Sequence, residues 1–282
     1  MKFKLETAEF FVPDGLPANE ALARTTHMAI GAHQDDLEIM AYEGIMACFQ
    51  QTELWYTGVV VTNGSGSPRD DLYKEYTDDD MRVVRFKEQK KAAVVGEYAA
   101  QALLDYPSSA IKDGANKDPV ADLKQLFEAA KPQVVYAHNL ADKHDTHVGV
   151  TLKVIEALRA MPEADRPERV LGCEVWRDLD WMCDEDKVAM DNSAHENLQA
   201  ALLGVFDSQI CGGKRYDLAT MGRRKAHATY HASHGVDLTT GMNFAMDLTP
   251  LIADPAKDPA EYVQEYVQRF ADDIKARLTK LA

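Results

Sequence analysis

The period of apolar positions changes several times along the chain, and the changes mark out its elements. Short runs rich in β-branched residues alternate with stretches in which apolar residues recur every three or four positions, the order that builds a parallel sheet through right-handed crossovers. The first run, His27–His33, leads into a helical pattern over about 36–50 carrying Leu37, Met40, Ile45, Met46 and Phe49. Gly58–Thr62 reads as the second strand, followed by a loop over Asn63–Asp71 and a charged helix over about 78–96. A third strand falls near 99–104. The helix through Leu123, Leu126 and Phe127 stops at Lys131-Pro132, because proline cannot continue it. Gln133–His138 is the next strand, and its Val-Val-Tyr content suits a position covered on both faces. Val148–Leu158 reads as a helix, 169–177 as a strand, and 194–203 and 213–232 as helices. The stretch 260–281 is amphipathic, with Tyr262, Tyr266, Phe270 and Ile274 in one stripe. No repeat, low-complexity tract or linker divides the chain. The expected fold is therefore a single α/β domain over 1–282, Rossmann-like and three-layered (α/β/α) with a mostly parallel sheet, its last helix packing on the body or on a partner subunit.

The first strand stops at a histidine and places two adjacent carboxylates, Asp35 and Asp36, within one turn of it. Imidazole nitrogen and carboxylate oxygen suit a borderline cation such as Zn²⁺, and a catalytic zinc takes three such ligands and keeps a position open for water. His33 and Asp36 are candidates for two of them. A third candidate lies far along the chain, where Val134–His138 is followed by Asp142-Lys143-His144-Asp145-Thr146-His147. Ligands of open α/β sheets bind outside the carboxyl ends of strands, so the two segments meet only if their strands are neighbours. Taken alone, each piece has a plainer account. Asp35-Asp36 is a good helix start, His138 reads as a packed, hydrogen-bonded residue, and His144 with His147 could merely cap a helix.

The run Gly31-Ala32-His33-Gln34-Asp35-Asp36-Leu37-Glu38 resembles the Ala-His-Pro-Asp-Asp signature of the PIG-L/LmbE-like N-deacetylases, with Gln34 where that family has proline. His144-Asp145-Thr146-His147 resembles its second motif, His-Pro-Asp-His, with Thr146 at the usual place of the aspartate. Further matches are Val61–Gly66, Arg85-Phe86-Lys87-Glu88, and Lys225 through His231-Ala232-Ser233, so the resemblance spans about 27–234. It implies an LmbE-like fold and one Zn²⁺ per chain, with Fe²⁺ the alternative, held by His33, Asp36 and His147. It further implies Asp35 as general base, His144 as donor to the oxyanion, and His231 as a late substrate-site histidine. Where the family has glutamine after the serine, this chain has His234.

The activity expected from the resemblance is hydrolysis of the N-acetyl amide of an N-acetylglucosamine-type sugar or glycoconjugate. A related amidase on a thiol conjugate or another small amide, and a sugar-binding protein without turnover, are the alternatives. Arg69 and Asp70, beyond the glycine-rich turn at 64–66, are candidates for contact with sugar hydroxyls. Arg85 and Glu88, one turn apart, read as a solvent-facing ion pair or a rim contact, and Lys214, Arg215 and Arg223–Lys225 as a solvated helix face.

Composition narrows the partners. With 31 basic against 46 acidic residues the net charge is −15, which opposes nucleic acid and anionic membrane surfaces and leaves a small N-acetyl sugar or glycoconjugate as the expected partner, with a homo-oligomer open. Cys48, Cys173, Cys183 and Cys211 show no Cys-x-x-Cys pair, so neither a zinc ribbon nor a disulfide framework is indicated. No stretch has the length and apolarity of a membrane span, and a cytoplasmic protein is expected.

Overall fold

The computed structural model describes residues 1–282. Eight strands form one sheet: β1 (Glu9–Phe11), β2 (His27–Gly31), β3 (Tyr56–Thr62), β4 (Ala100–Tyr106), β5 (Val134–His138), β6 (Arg169–Cys173), β7 (Val188–Asp191) and β8 (Met242–Asp247). Their order is β1-β4-β3-β2-β5-β6-β8-β7. The five central strands run parallel, while β1, β8 and β7 pair antiparallel at the two sides. After β2 the chain builds outward through β3 and β4, then returns to lay β5 on the other side of β2, with Met28 opposite Val135. The order reverses there, which opens a crevice at the carboxyl ends of β2 and β5.

Alternate residues of the strands feed two separate cores. Met28 and Ile30 of β2 and Val59 and Val61 of β3 face the helices Asp118–Ala130 and Asp145–Arg159, whereas Ala29 and Val60 face the helices Tyr42–Cys48 and Asp78–Val95. This two-sided burial of apolar strands is the expected three-layer α/β/α arrangement.

Several boundaries differ from those read in the sequence. The helix expected over 36–50 is two, Asp36–Met40 and Tyr42–Cys48, broken at Ala41 with φ −116° and ψ 26°. The helix expected from Val148 begins at Asp145, so His147 sits in its first turn rather than in the loop before it. β6 ends at Cys173, because Glu174 turns inward to accept hydrogen bonds from Leu179 N and Phe244 N. The helix expected over 213–232 runs Tyr216–Tyr230. β1, β7 and β8 were not expected: the first two are three and four residues long, and β8 places Asn243 inside, where Arg224 and Asn192 donate to it. The last helix, Pro259–Leu281, buries Tyr262 and Tyr266, while Ile274, Leu278 and Leu281 are exposed.

Candidate metal centre and active site

The β2–β5 crevice gathers the charged residues. β2 ends at Gly31, and the turn that follows is held by Asp36, whose Oδ2 accepts from His33 N at 2.7 Å. That bond turns the Asp36 carboxylate back over the strand end. The His147 ring reaches the same point from the first turn of Asp145–Arg159. Three donor atoms converge: His33 Nδ1 and His147 Nε2 are 3.3 Å apart, His33 Nδ1 and Asp36 Oδ2 3.4 Å, and His147 Nε2 and Asp36 Oδ2 3.6 Å. Tetrahedral zinc with bonds of about 2.0–2.1 Å requires ligand separations of about 3.3–3.4 Å, so the triangle has the size of one face of that tetrahedron. His33, Asp36 and His147 thus form a group able to hold a metal ion. His33 and Asp36 line a cavity of about 400 Å³, which leaves the fourth side accessible.

A second group, His138, Asp142 and His147, also has suitable spacing. It is less suited to catalysis, because all three are buried and none lines the cavity, whereas His33 and Asp36 do. His138 Nε2 already accepts from Ala32 N at 2.9 Å, and burial lowers its pKa to about 4, so it is a neutral packed imidazole. Asp142 serves the first group instead. Its Oδ2 lies 3.3 Å from His147 Nδ1 and also accepts from Trp176 N, while Oδ1 accepts from His144 N. A carboxylate on the far nitrogen fixes the ring so that Nε2 presents its lone pair to the cavity. Nothing distinguished Asp142 from other loop acids in the sequence.

Asp35 adopts φ 91° and ψ −28°, a left-handed conformation uncommon for a side-chain-bearing residue. Its amide donates to Gln89 Oε1 at 3.2 Å, and the residue lines the cavity. Oδ2 has no hydrogen-bond partner and lies 3.5 Å from Arg85 Nη2. Burial raises the Asp35 carboxyl well above the usual range, against the pull of Arg85 and with the push of Asp36. Burial also pushes Asp36 upward, but the imidazoles of His147 and His138 outweigh it and hold this carboxyl well below the usual range. Two neighbouring carboxylates are driven apart in acidity, as an acid–base assignment requires.

His144 lines the cavity, its ring 5.1 Å from His33 and 4.5 Å from His147. Burial and the neighbouring imidazoles lower its pKa to about 4. Its Nδ1 and the Thr146 hydroxyl are both buried without partners, so no carboxylate supports this ring where the resembling motif has aspartate.

The remaining sequence candidates lie elsewhere. Arg69 ties Ser65 O to the Asp78 carboxylate, Asp70 caps a short turn through Asp71 N, and half-buried His231 packs on Phe244; none of the three lines the cavity. Arg85 and Glu88, read as a solvent-facing pair or a rim contact, are both buried. Arg85 donates to Gln34 O and enters the cavity wall, while Glu88 accepts from Ser208 N and Oγ. Arg224, read as part of a solvated face, is 1% exposed and donates to Asn243, Gln199 and the carbonyls of Glu38 and Ile39. Gln34, in the position of the family's proline, donates to Thr62 O at 3.1 Å, and its Oε1 fills the space where a Cβ at Gly64 would stand; Gly64 has φ +67°.

A three-layer α/β fold with a metal-sized His/Asp triad at the carboxyl ends of its central strands defines a class of metal-site proteins. Residues 28–158 match the model of the PIG-L family, described as GlcNAc-PI de-N-acetylase. That match is to a family of hydrolases that act on an amide. No curated protein matches its sequence. Among solved structures, a 4-carboxy-2-hydroxymuconate hydratase from Pseudomonas putida is similar over 80% of this chain and 96% of its own, with 16% identity and a TM-score of 0.62. The N,N'-diacetylchitobiose deacetylase of Pyrococcus horikoshii is similar over 79% of this chain and 84% of its own, with 16% identity and a TM-score of 0.56. The A40926 pseudoaglycone deacetylase is similar over 79% and 97%, with 14% identity and a TM-score of 0.56. Likeness at these identities is likeness of fold. No helix of the chain is long and apolar enough to cross a membrane.

Proposed function

We propose that the protein is a zinc-dependent N-deacetylase that hydrolyses the N-acetyl amide of an N-acetylglucosamine-type sugar or glycoconjugate, with His33, Asp36 and His147 as metal ligands. The observation that carries this reading is the triangle of donors, 3.3–3.6 Å on a side, beside the Asp35 carboxylate, whose Oδ2 accepts no hydrogen bond. One fold carries both a hydratase and deacetylases, so the activity follows from the site and not from the fold.

When bound there, zinc would supply a Lewis acid for the amide carbonyl and lower the pKa of a water molecule. Asp35 takes the proton from the attacking water and later delivers that proton to the departing amine. Arg85, beside Asp35, favours the ionised form that accepts the proton. Neutral His144 still carries one N–H, which donates to the oxyanion as the carbonyl carbon becomes tetrahedral. Asp142 holds His147 in the tautomer that ligation needs.

Two measurements test the reading. Metal analysis of the purified protein is expected to find about one ion per chain, lost in His33→Ala and in His147→Ala. Release of free amine from N-acetylated sugars is expected to stop on addition of a chelator and return with zinc. Full metal content in both variants, or amine release indifferent to chelator, would overturn it.

A further inference from the structure

The peptide unit that joins Gln34 to Asp35 is gripped at both ends by one helix. Arg85 donates to its carbonyl oxygen, Gln34 O, and Gln89 Oε1 accepts from its amide, Asp35 N, at 3.2 Å. Arg85 and Gln89 are four residues apart on the helix Asp78–Val95, so their side chains are neighbours on the same face. The orientation of this peptide unit sets φ of Asp35, which stands at 91°. A side-chain-bearing residue stays in that region only where its surroundings over-determine it. Ile39 N donates to Asp35 O at 3.1 Å, but that bond belongs to any first helical turn; the two contacts from Asp78–Val95 are particular to this peptide.

Gln89 is itself held in one orientation. It is fully buried and does not line the cavity. Its Nε2 donates to Glu38 Oε1 at 2.8 Å and to Gln101 Oε1 at 3.3 Å, and Tyr98 OH donates to the same Glu38 oxygen at 2.7 Å. With acceptors on its nitrogen side and an N–H on the other, the Gln89 amide satisfies its neighbours only with its oxygen toward Asp35. Linked side chains in a low-dielectric interior hold one another in place, so the chain Tyr98–Glu38–Gln89 ends on the backbone of Asp35.

We infer that Gln89 is a positioning residue for turnover: by holding the Asp35 amide it fixes where the Asp35 carboxylate stands relative to the metal ligands, while itself touching neither metal nor substrate. The inference rests on reading Asp35 as the base of an amide-hydrolysing site. It separates the two carboxylates by their supports, since Asp36 is held by His33 N and Asp35 by the helix behind it.

Gln89→Met keeps the length and bulk of the side chain and removes the acceptor. In zinc-loaded protein it is expected to lower kcat on N-acetylated sugars by about 10- to 100-fold, with KM and zinc content within about threefold of the native values. The swap Gln89→Glu/Glu38→Gln moves the donor to position 38 and keeps an oxygen facing Asp35 N, and it is expected to recover most of the lost kcat. In chelator-stripped protein, hydrogen exchange at the Asp35 amide is expected to quicken by about tenfold or more in Gln89→Met and to stay slow in the swap, while the amides of β2 keep their protection. Native kcat in folded Gln89→Met, zinc lost in step with turnover, or a folded swap no faster than Gln89→Met would overturn the inference and leave the deacetylase reading intact. An Asp35 amide that exchanges at the native rate in Gln89→Met would overturn it as well. If the native protein releases no amine from any N-acetylated sugar while the Asp35 amide still responds to Gln89→Met, the deacetylase reading fails and the hold on Asp35 stands.

Discussion

Asp142 makes no contact with the cavity, yet its removal is expected to weaken metal binding. Asp142→Ala deletes a carboxylate that receives hydrogen bonds from Trp176 N at 3.1 Å, His144 N at 3.0 Å and His147 Nδ1 at 3.3 Å. Burial raises this carboxyl, but the bond from His147 overcomes that and holds it below its ordinary value, so the group stays ionised at neutral pH. Without it the His147 ring loses the partner that keeps its proton on Nδ1. Removing such a partner lowers metal affinity by about 10- to 100-fold. The 3.3 Å contact is longer than a charge-assisted bond at its best. The expected loss is therefore about 10- to 30-fold, or about 1.4–2 kcal/mol. Competition for zinc against a chromophoric chelator reads the affinity, and circular dichroism checks the fold. Asp142→Asn, whose amide oxygen keeps an acceptor for the loop, separates loop support from the ring's tautomer. A folded Asp142→Ala protein with zinc affinity within about twofold of the native value would refute the reasoning.

Three further outcomes are expected. Asp35→Asn keeps its metal and loses turnover by about 100-fold or more in kcat; loss of metal instead would make Asp35 a ligand. Glu38 is fully buried, and burial raises its carboxyl to about 7 although Tyr98 and Gln89 donate to it. The folded state therefore holds a proton that the unfolded chain releases near pH 4.5, and stability falls as pH rises from there to about 7. In metal-free protein Glu38→Gln is expected to gain on the native chain across that window, by up to about 3 kcal/mol at pH 8, measured by urea unfolding at pH 5 and pH 8; a difference that does not change with pH rules the account out. Arg224→Met removes the donor from Gln199 Oε1 and the carbonyls of Glu38 and Ile39, while Asn243 keeps Asn192, and is expected to cost about 3–5 kcal/mol, with a lower urea midpoint; a cost below about 1 kcal/mol contradicts the role given to that side chain.

The motif His33–Asp36 was legible because its evidence is local: an apolar strand, then donors within one turn. Its meeting with His147 was legible only as a condition on strand order, and it is the pairing of β2 with β5 that meets the condition. Asp142 was hidden because its role depends on where the helix of His147 begins, and that boundary lay three residues before the expected one. Arg85, Glu88 and Arg224 misled for a common reason. Charged residues at helical spacing look solvated, and only the tertiary partners Gln34, Ser208 and Asn243 reveal that they are buried. The edge strands β1 and β7 are too short for alternation to register.

Gln34 and Gly64 occupy one volume, and this ties the history of the two positions together. A larger residue at 64 is blocked while the glutamine amide spans to the backbone of Thr62; a smaller or cyclic residue at 34 would vacate that space and at the same time cut the span between two strand ends. Drift at either position is thus gated by the other, and a lineage that changed the third residue of the signature would be expected to carry the trace of that change thirty residues downstream.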